Sequence, residues 1–391
     1  MPSNSSKRTY VDGLLDPVEV NSTDSQLGRM LSIRSAISPT SSSTHEQARE
    51  PSENVDVYQK IGAGSCGAIF TGDDKSIVVK VAKHPESLVW NDYRMHTLIY
   101  NKIQDHKLDL KVPKCHFFVP KRDLVFAEKQ PGLYNAAIGI CRMPADMLVA
   151  ERIPPLPRST RTLLIRKYCS EKGKEKALID RANNDCLVRV YLGSSRGKSD
   201  QKFFSLRNFK IHLNQLTDLR SDVTALASEM GKALAIMHWD AKVDARDVEF
   251  VLGGSVSAAP VLTYSHADFR WMMPRTYTGP KSRVIEDFFH RETNLWLLDF
   301  NQVRPISMNA VGVAQAIEAA QMNDPYLPKP HQDGEPAKLC WNAFTESYLQ
   351  VAQDILIDEA PEVRRLPLDF LLGLMRAEGE KVKAQSDDGD A

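Results

Sequence analysis

The stretch from Lys60 to Lys83, KIGAGSCGAIFTGDDKSIVVKVAK, limits the fold more tightly than any other part of the chain. Gly62, Gly64 and Gly67 follow a G-x-G-x-x-G spacing, and Lys80 comes later inside a run of valines. Two arrangements use such glycines. A dinucleotide-binding βαβ unit places a helix after the last glycine, and a β-hairpin uses the glycine turn to roof a polyphosphate. Here Gly67 leads into AIFTG, a GDDK turn and SIVVKVAK. Period-two alternation puts Ile77, Val79 and Val81 on one face and Val78, Lys80 and Ala82 on the other. Strand, glycine turn, strand, turn, strand is the expected order, and it favours the phosphate roof. Glycines there let backbone N–H groups approach phosphate oxygens. Lys80 then points under the roof with Val78 beside it to flank a base. A lysine among apolar neighbours needs a counter-charge, which phosphates supply. Taken alone, the stretch also fits a hairpin whose edge lysine snorkels to water.

Two acidic segments lie downstream. In MHWDAKVDARDVEFVLGG, an amphipathic helix ends near Trp239, and Asp244 precedes a short apolar strand with Glu249 five residues on. That spacing suits phosphoryl transfer: the first group orients a hydroxyl or takes its proton, and the second helps hold a metal. In NLWLLDFNQV, Asp299 ends an apolar strand. A carboxylate at the end of a buried strand needs a partner, which Mg²⁺ with nucleotide phosphates provides.

The predicted elements place these motifs. Strands run to about 83, then near 112–119 and 137–153. Helices are expected at 87–104, 158–169, 221–239, 309–322, 338–357 and 367–378. An interruption at 170–206 contains a charged loop and the strand CLVRVYLG. A β-rich first part and a helical second part give an α+β class. Residues 1–55 are rich in Ser, Thr and Pro and are expected to be a disordered tail, with a faint amphipathic patch at 27–38. A polar tail is expected at 379–391.

Composition narrows the function. Formal net charge is +0, so no global field draws the chain to nucleic acid or a membrane. Neither a signal-peptide pattern nor an apolar run long enough to span a bilayer is present, which predicts a cytoplasmic or nuclear protein that is not secreted. The six cysteines are scattered without a C-x-x-C pair. The adjacent Cys115 and His116 have no matching partner pair, so no zinc is expected.

The order glycine turn, strand lysine, helix, D-x-x-x-x-(N/E), D-F-x resembles the protein kinase-like fold. The resemblance spans about residues 57–305, with helices to about 378 completing a C-terminal lobe. It implies a bilobal protein: a β-rich N-terminal lobe at 56–153 and a mainly helical C-terminal lobe at 154–378, with insertions near 170–206 and 254–293. Mg-ATP would lie between them. By this resemblance Lys80 meets the α- and β-phosphates beneath Gly62, Gly64 and Gly67. Asp244 is the catalytic-loop aspartate and Arg246 replaces the catalytic-loop lysine. Asp299 and Glu249 hold the metal. Residues 150–154 form the hinge, with Glu151 beside the base. More closely, NDCLVRVYLG, SLRNFKIHLNQ, MHWDAKVDARDVEFVLGG, WLLDFNQ and NDPYLPKP resemble a fungal family of unknown function labelled "zinc finger protein".

The sequence also departs from the kinase-like pattern. Lys242-Val243 stands where kinases have His-Arg, Glu249 replaces an amide, and no A-P-E follows Asp299. Asn301 replaces the D-F-G glycine, as expected of the residue that best tolerates positive φ. The helix at 87–104 offers Asp92 or Asn91 in place of the glutamate that pairs with the lysine, with His96 one turn beyond. Two functions stay open. Lys80, Asp244 and Asp299 together point to an ATP-dependent phosphotransferase acting on an unidentified small-molecule or protein partner. The altered positions point to an impaired pseudokinase serving as a scaffold or regulator. A zinc- or nucleic-acid-binding role rests on the family label.

Overall fold

Alternation in IVVKVA holds up to Val81: Val79 and Val81 are buried in a small core, while Val78 and Lys80 face the opposite way, into a cleft; Ala82, expected beside Lys80, is buried in the small core instead. The computed structural model describes residues 22–34, 36–37, 57–72, 76–85, 88–254, 290–291 and 293–387. Most of the 254–293 insertion lies outside them.

The chain is mixed α/β. Its strands are β1 (Ala36–Ile37), β2 (Tyr58–Ala63), β3 (Gly67–Gly72), β4 (Ile77–Ala82), β5 (Cys115–Val119), β6 (Met147–Glu151), β7 (Val188–Tyr191), β8 (Phe209–His212), β9 (Glu249–Gly254), β10 (His290–Arg291) and β11 (Thr293–Leu298). The first large sheet has order β2-β3-β4-β6-β5 and is antiparallel throughout. Its register sets Lys80 opposite Ile69 on one side and Leu148 on the other. The second sheet has order β11-β9-β7-β8, with β7 and β8 parallel.

Helix Val89–Asp105 links two cores. Val89 joins the small core under the first sheet, and Ile99 and Ile103 join the larger one. In that larger core, helix Val223–Ala235 starts on an Asp222 cap that accepts the Ala225 N–H. It crosses helix Glu335–Ile355 so closely that a Cβ on Gly231 would lie 2.3 Å from the Phe344 carbonyl oxygen. The five residues Ile236–Asp240 then widen into a π turn. His238 there is fully buried against Tyr348 and Phe370, in keeping with a core role.

Three expectations need correction. Residues 22–34 are not an unstructured tail: Ser22–Leu31 is a helix, and Leu27, Leu31 and Ile33 are buried in the larger core. The i, i+4 spacing of Leu27 and Leu31 supplies the apolar stripe. At the other end, the polar stretch from 379 continues helix Pro361–Asp387 rather than forming a separate tail. The expected strand at 137–153 is shorter, with helices Leu124–Lys129 and Pro131–Ala137 before β6.

Candidate functional site

A cavity of about 250 Å³ separates the two sheets. That is near the lower end for small-molecule sites. Ile61, Ile69, Val78 and Leu148 line it from the first sheet, and Val251 of the second sheet and Leu187, just before β7, from the other side. Gly62, Gly64 and Gly67 form its rim, with Glu151 at the end of β6. Apolar residues line both walls, and charged residues stand at Lys80 and Asp299 and again at Glu151, Arg152 and Asp185.

Lys80 is the centre of the first charged cluster. Its Nζ lies 2.5 Å from Asp92 Oδ2 and 2.8 Å from Asp299 Oδ1. Burial alone would lower the Lys80 pKa, but the two carboxylates more than offset it and hold the ammonium charged. Asp92, on helix Val89–Asp105, also accepts the Phe300 N–H at 3.2 Å. One turn of helix thus ties the strand lysine to the segment after Asp299. Asn91 strengthens the tie, donating to the carbonyls of Asn301 at 3.0 Å and Val303 at 2.9 Å. His96 faces the Pro113 carbonyl at 2.6 Å and packs against Phe300. Burial pushes its pKa down.

The glycines differ in what the protein asks of them. A Cβ on Gly67 would sit 3.0 Å from Lys80 Cγ and from the Val81 carbonyl oxygen, so the close strand pairing excludes one. A Cβ on Gly64 would meet nothing within 4 Å. The space above Gly64 is open, and no intramolecular contact among the described residues calls for a glycine there.

Asp299 has φ 66°, and Lys242, Ala245 and Asp247 have φ of 55°, 54° and 59°. Of these, Asp247 and Asp299 line the cavity, and left-handed non-glycine residues of this kind cluster at functional sites. The positive φ expected of Asn301 falls on Asp299 instead. Asn301 is buried; its Nδ2 donates to Cys66 Sγ at 2.8 Å, and its Oδ1 has no partner among the described residues.

Asp244 and Arg246 are not among the residues lining the cavity. Asp244 is 1% exposed, and both of its oxygens are occupied. Oδ1 accepts from the Arg246 and Arg304 amides at 3.1 and 2.9 Å; Oδ2 accepts from Arg304 Nε at 2.7 Å and Gln315 Nε2 at 2.9 Å. Arg246 turns away to Glu318 at 2.7 Å. In their place Asp247 enters the cavity with Glu249 and Asp299. Asp247 lies in the same loop, three residues after Asp244, and the D-x-x-x-x-(N/E) spacing does not single it out.

Glu249 is engaged by Arg189 of β7 at 2.6 Å. Burial pushes the Glu249 carboxyl up to about 7; Arg189 opposes the rise, while Asp299 and Asp247 add to it. Burial and the nearby Asp299 charge likewise raise the Asp247 pKa. The described residues contain no group of three or more His, Cys, Asp or Glu arranged to hold a metal ion. Asp299 and Asp247 both line the cavity, and one or two carboxylates are all that a Mg²⁺ bound with phosphate and water ordinarily takes from a protein.

A family model described as "Zinc finger protein" matches residues 295–360, about a sixth of the chain. That description agrees with the label carried by the sequence resemblance. The matched stretch runs from β11 through Asp299 into helix Glu335–Ile355. It holds one cysteine, Cys340, and one histidine, His331, short of the four ligands of a structural zinc site. No curated protein matches the chain. No helix among the described residues is long and apolar enough to cross a membrane.

Proposed function

We propose that the cleft binds a magnesium–nucleoside triphosphate in a kinase-like arrangement of two lobes, and that the protein is an atypical phosphotransferase. The observation that carries this reading is Lys80, held between Asp92 and Asp299 beneath a glycine turn with open space at Gly64. A base would lie between Val78 and Leu148 above and Leu187 and Val251 below, next to the hinge carrying Glu151. Its phosphates would run beneath the rim to Lys80. Asp299 and Asp247 would hold Mg²⁺, which neutralises charge on the β- and γ-phosphates when bound.

A second reading, a nucleotide-binding scaffold without catalysis, is favoured by one observation: Arg189 already occupies Glu249, the expected second metal ligand. Titration calorimetry with ATP, with and without Mg²⁺, tests nucleotide binding itself. Binding that depends on Mg²⁺ and is lost in Lys80→Met supports it; equal heats in wild type and Lys80→Met refute it. ATP turnover then separates the two readings.

A further inference from the structure

We propose that Arg207 is the core of a second oxyanion subsite in the cleft, one that holds a phosphate group at the hinge end of the cavity. The inference deepens the nucleotide reading of the cleft and rests on it. The cations that line the cavity are Lys80, Arg152, Arg189 and Arg207. Three of them are already neutralised: Lys80 by Asp92 and Asp299, Arg152 by Asp185 at 2.8 Å, and Arg189 by Glu249 at 2.6 Å. Arg207 joins no ion pair among the described residues. Its side chain is half-buried, and its Nε is enclosed without a hydrogen-bond partner among them.

The fold carries Arg207 to this place. β7 and β8 run parallel with Val188 beside Phe209, so Asn208 comes in beside Leu187 and Arg207 one residue earlier. Leu187 belongs to the hinge end: a Cβ on Gly253 would lie 2.6 Å from the Ile153 side chain and 3.2 Å from that of Leu187. The backbone leading into β8 is fixed by the buried Asn183. Its Oδ1 accepts the Leu206 amide at 2.7 Å, and its Nδ2 donates to the Ala177 carbonyl at 2.8 Å. Asn208, which also lines the cavity, has φ 58°, a left-handed conformation of the sort that gathers at ligand sites. The 170–206 interruption thus supplies the frame that presents Arg207 to the cavity.

The carboxylates at this end do not oppose an anion. Asp185 is neutralised by Arg152. Alternation along β6 sets Glu151 on the face opposite Leu148 and Ala150, and its Oε2 accepts the Lys114 amide at 2.8 Å. A partly desolvated guanidinium without a counter-charge is costly, and an oxyanion relieves that cost. The planar fork of arginine matches two oxygens of a phosphate. That phosphate is carried on the ribose of the nucleotide whose other end lies at Lys80, or on a second molecule bound beside it.

The test uses the full chain and titration calorimetry with AMP, with adenosine 3′,5′-bisphosphate, and with glycerol 3-phosphate added to the empty and to the AMP-loaded protein. A bisphosphate that binds at least about tenfold tighter than AMP places the phosphate on the ribose. Glycerol 3-phosphate that binds the AMP-loaded protein places it on a second molecule. In Arg207→Gln the signal that appears should weaken about tenfold or more, while AMP affinity changes less than about threefold. The thermal midpoint of Arg207→Gln should not fall, whereas Arg152→Gln strands Asp185 and should lower it. Absence of both signals in wild type overturns the proposal, as do equal signals in wild type and Arg207→Gln. A fallen midpoint with AMP and bisphosphate weakened alike also overturns it, since Arg207 would then be structural. ATP binding without either phosphate signal defeats the subsite and leaves the nucleotide reading in place. Glycerol 3-phosphate bound through Arg207 in a protein that ignores ATP and AMP does the reverse.

Discussion

Lys80 shows how one side chain sets the terms for its neighbours. It neutralises Asp92 and Asp299 together, and Asp92 has only 3% of its side chain exposed. Removing one partner of a buried pair strands the other charge. Lys80→Met is therefore expected to cost about 3 kcal/mol of stability in denaturant unfolding, with the loss relieved by adding Asp92→Asn. The glycines separate structural from ligand demands. Gly64→Ala meets no atom within 4 Å and should leave stability unchanged while weakening ATP binding; Gly67→Ala presses on Lys80 and should harm both. His238 makes a prediction about acid. It is fully buried with Nδ1 2.9 Å from Tyr348 Oη, and burial pushes its pKa down to about 3. Below pH 6.5 the unfolded chain gains a proton that the folded chain refuses, so stability present at neutral pH is lost as pH falls. The loss at pH 5 is about 2 kcal/mol. The stability gap between wild type and His238→Gln should narrow between pH 7 and pH 5; a constant gap would contradict this account.

At the scale of elements, the helix Ser22–Leu31 carries the clearest consequence. Leu27 and Leu31 are buried, and a Cβ on Gly28 would fall 2.1 Å from the Leu219 carbonyl oxygen. Leu27→Ala should cost roughly 2–5 kcal/mol, and Gly28→Ala should be destabilising too, both read by chemical denaturation. A free tail would show no effect. This helix showed in the sequence only as a faint amphipathic patch, because Leu27, Met30 and Leu31 sit in a long Ser- and Pro-rich region whose average composition predicts disorder. The hairpin of β2, β3 and β4 was legible because its period-two pattern is local and its partners are adjacent in sequence. The pairing of Glu249 with Arg189 was not, because β7 reaches β9 only through the tertiary fold. The exchange of Asp244 for Asp247 was hidden for a related reason. Spacing identifies a loop, but positive φ at Lys242, Ala245 and Asp247 decides which side chain enters the cavity.

Across the whole molecule, the helix Ser22–Leu31 and the strand leading to Asp299 belong to one construction. Thr293, at the start of the strand that ends beside Asp299, donates to the Met30 carbonyl at 2.5 Å, and β1 pairs with β10 just before it. Helix Val89–Asp105 crosses from the small core to the large one and carries Asp92. A ligand seated between Lys80 and Asp299 would thus touch both parts of the molecule and add to its total stability. The direct measurement is the unfolding midpoint of the full chain with millimolar Mg·ATP, compared with Lys80→Met and Asp299→Asn. For micromolar affinity, ligand linkage predicts about 4 kcal/mol of added stability in wild type and little in either variant. An unchanged wild-type midpoint, or an equal rise in all three proteins, would contradict a nucleotide site built on these two residues.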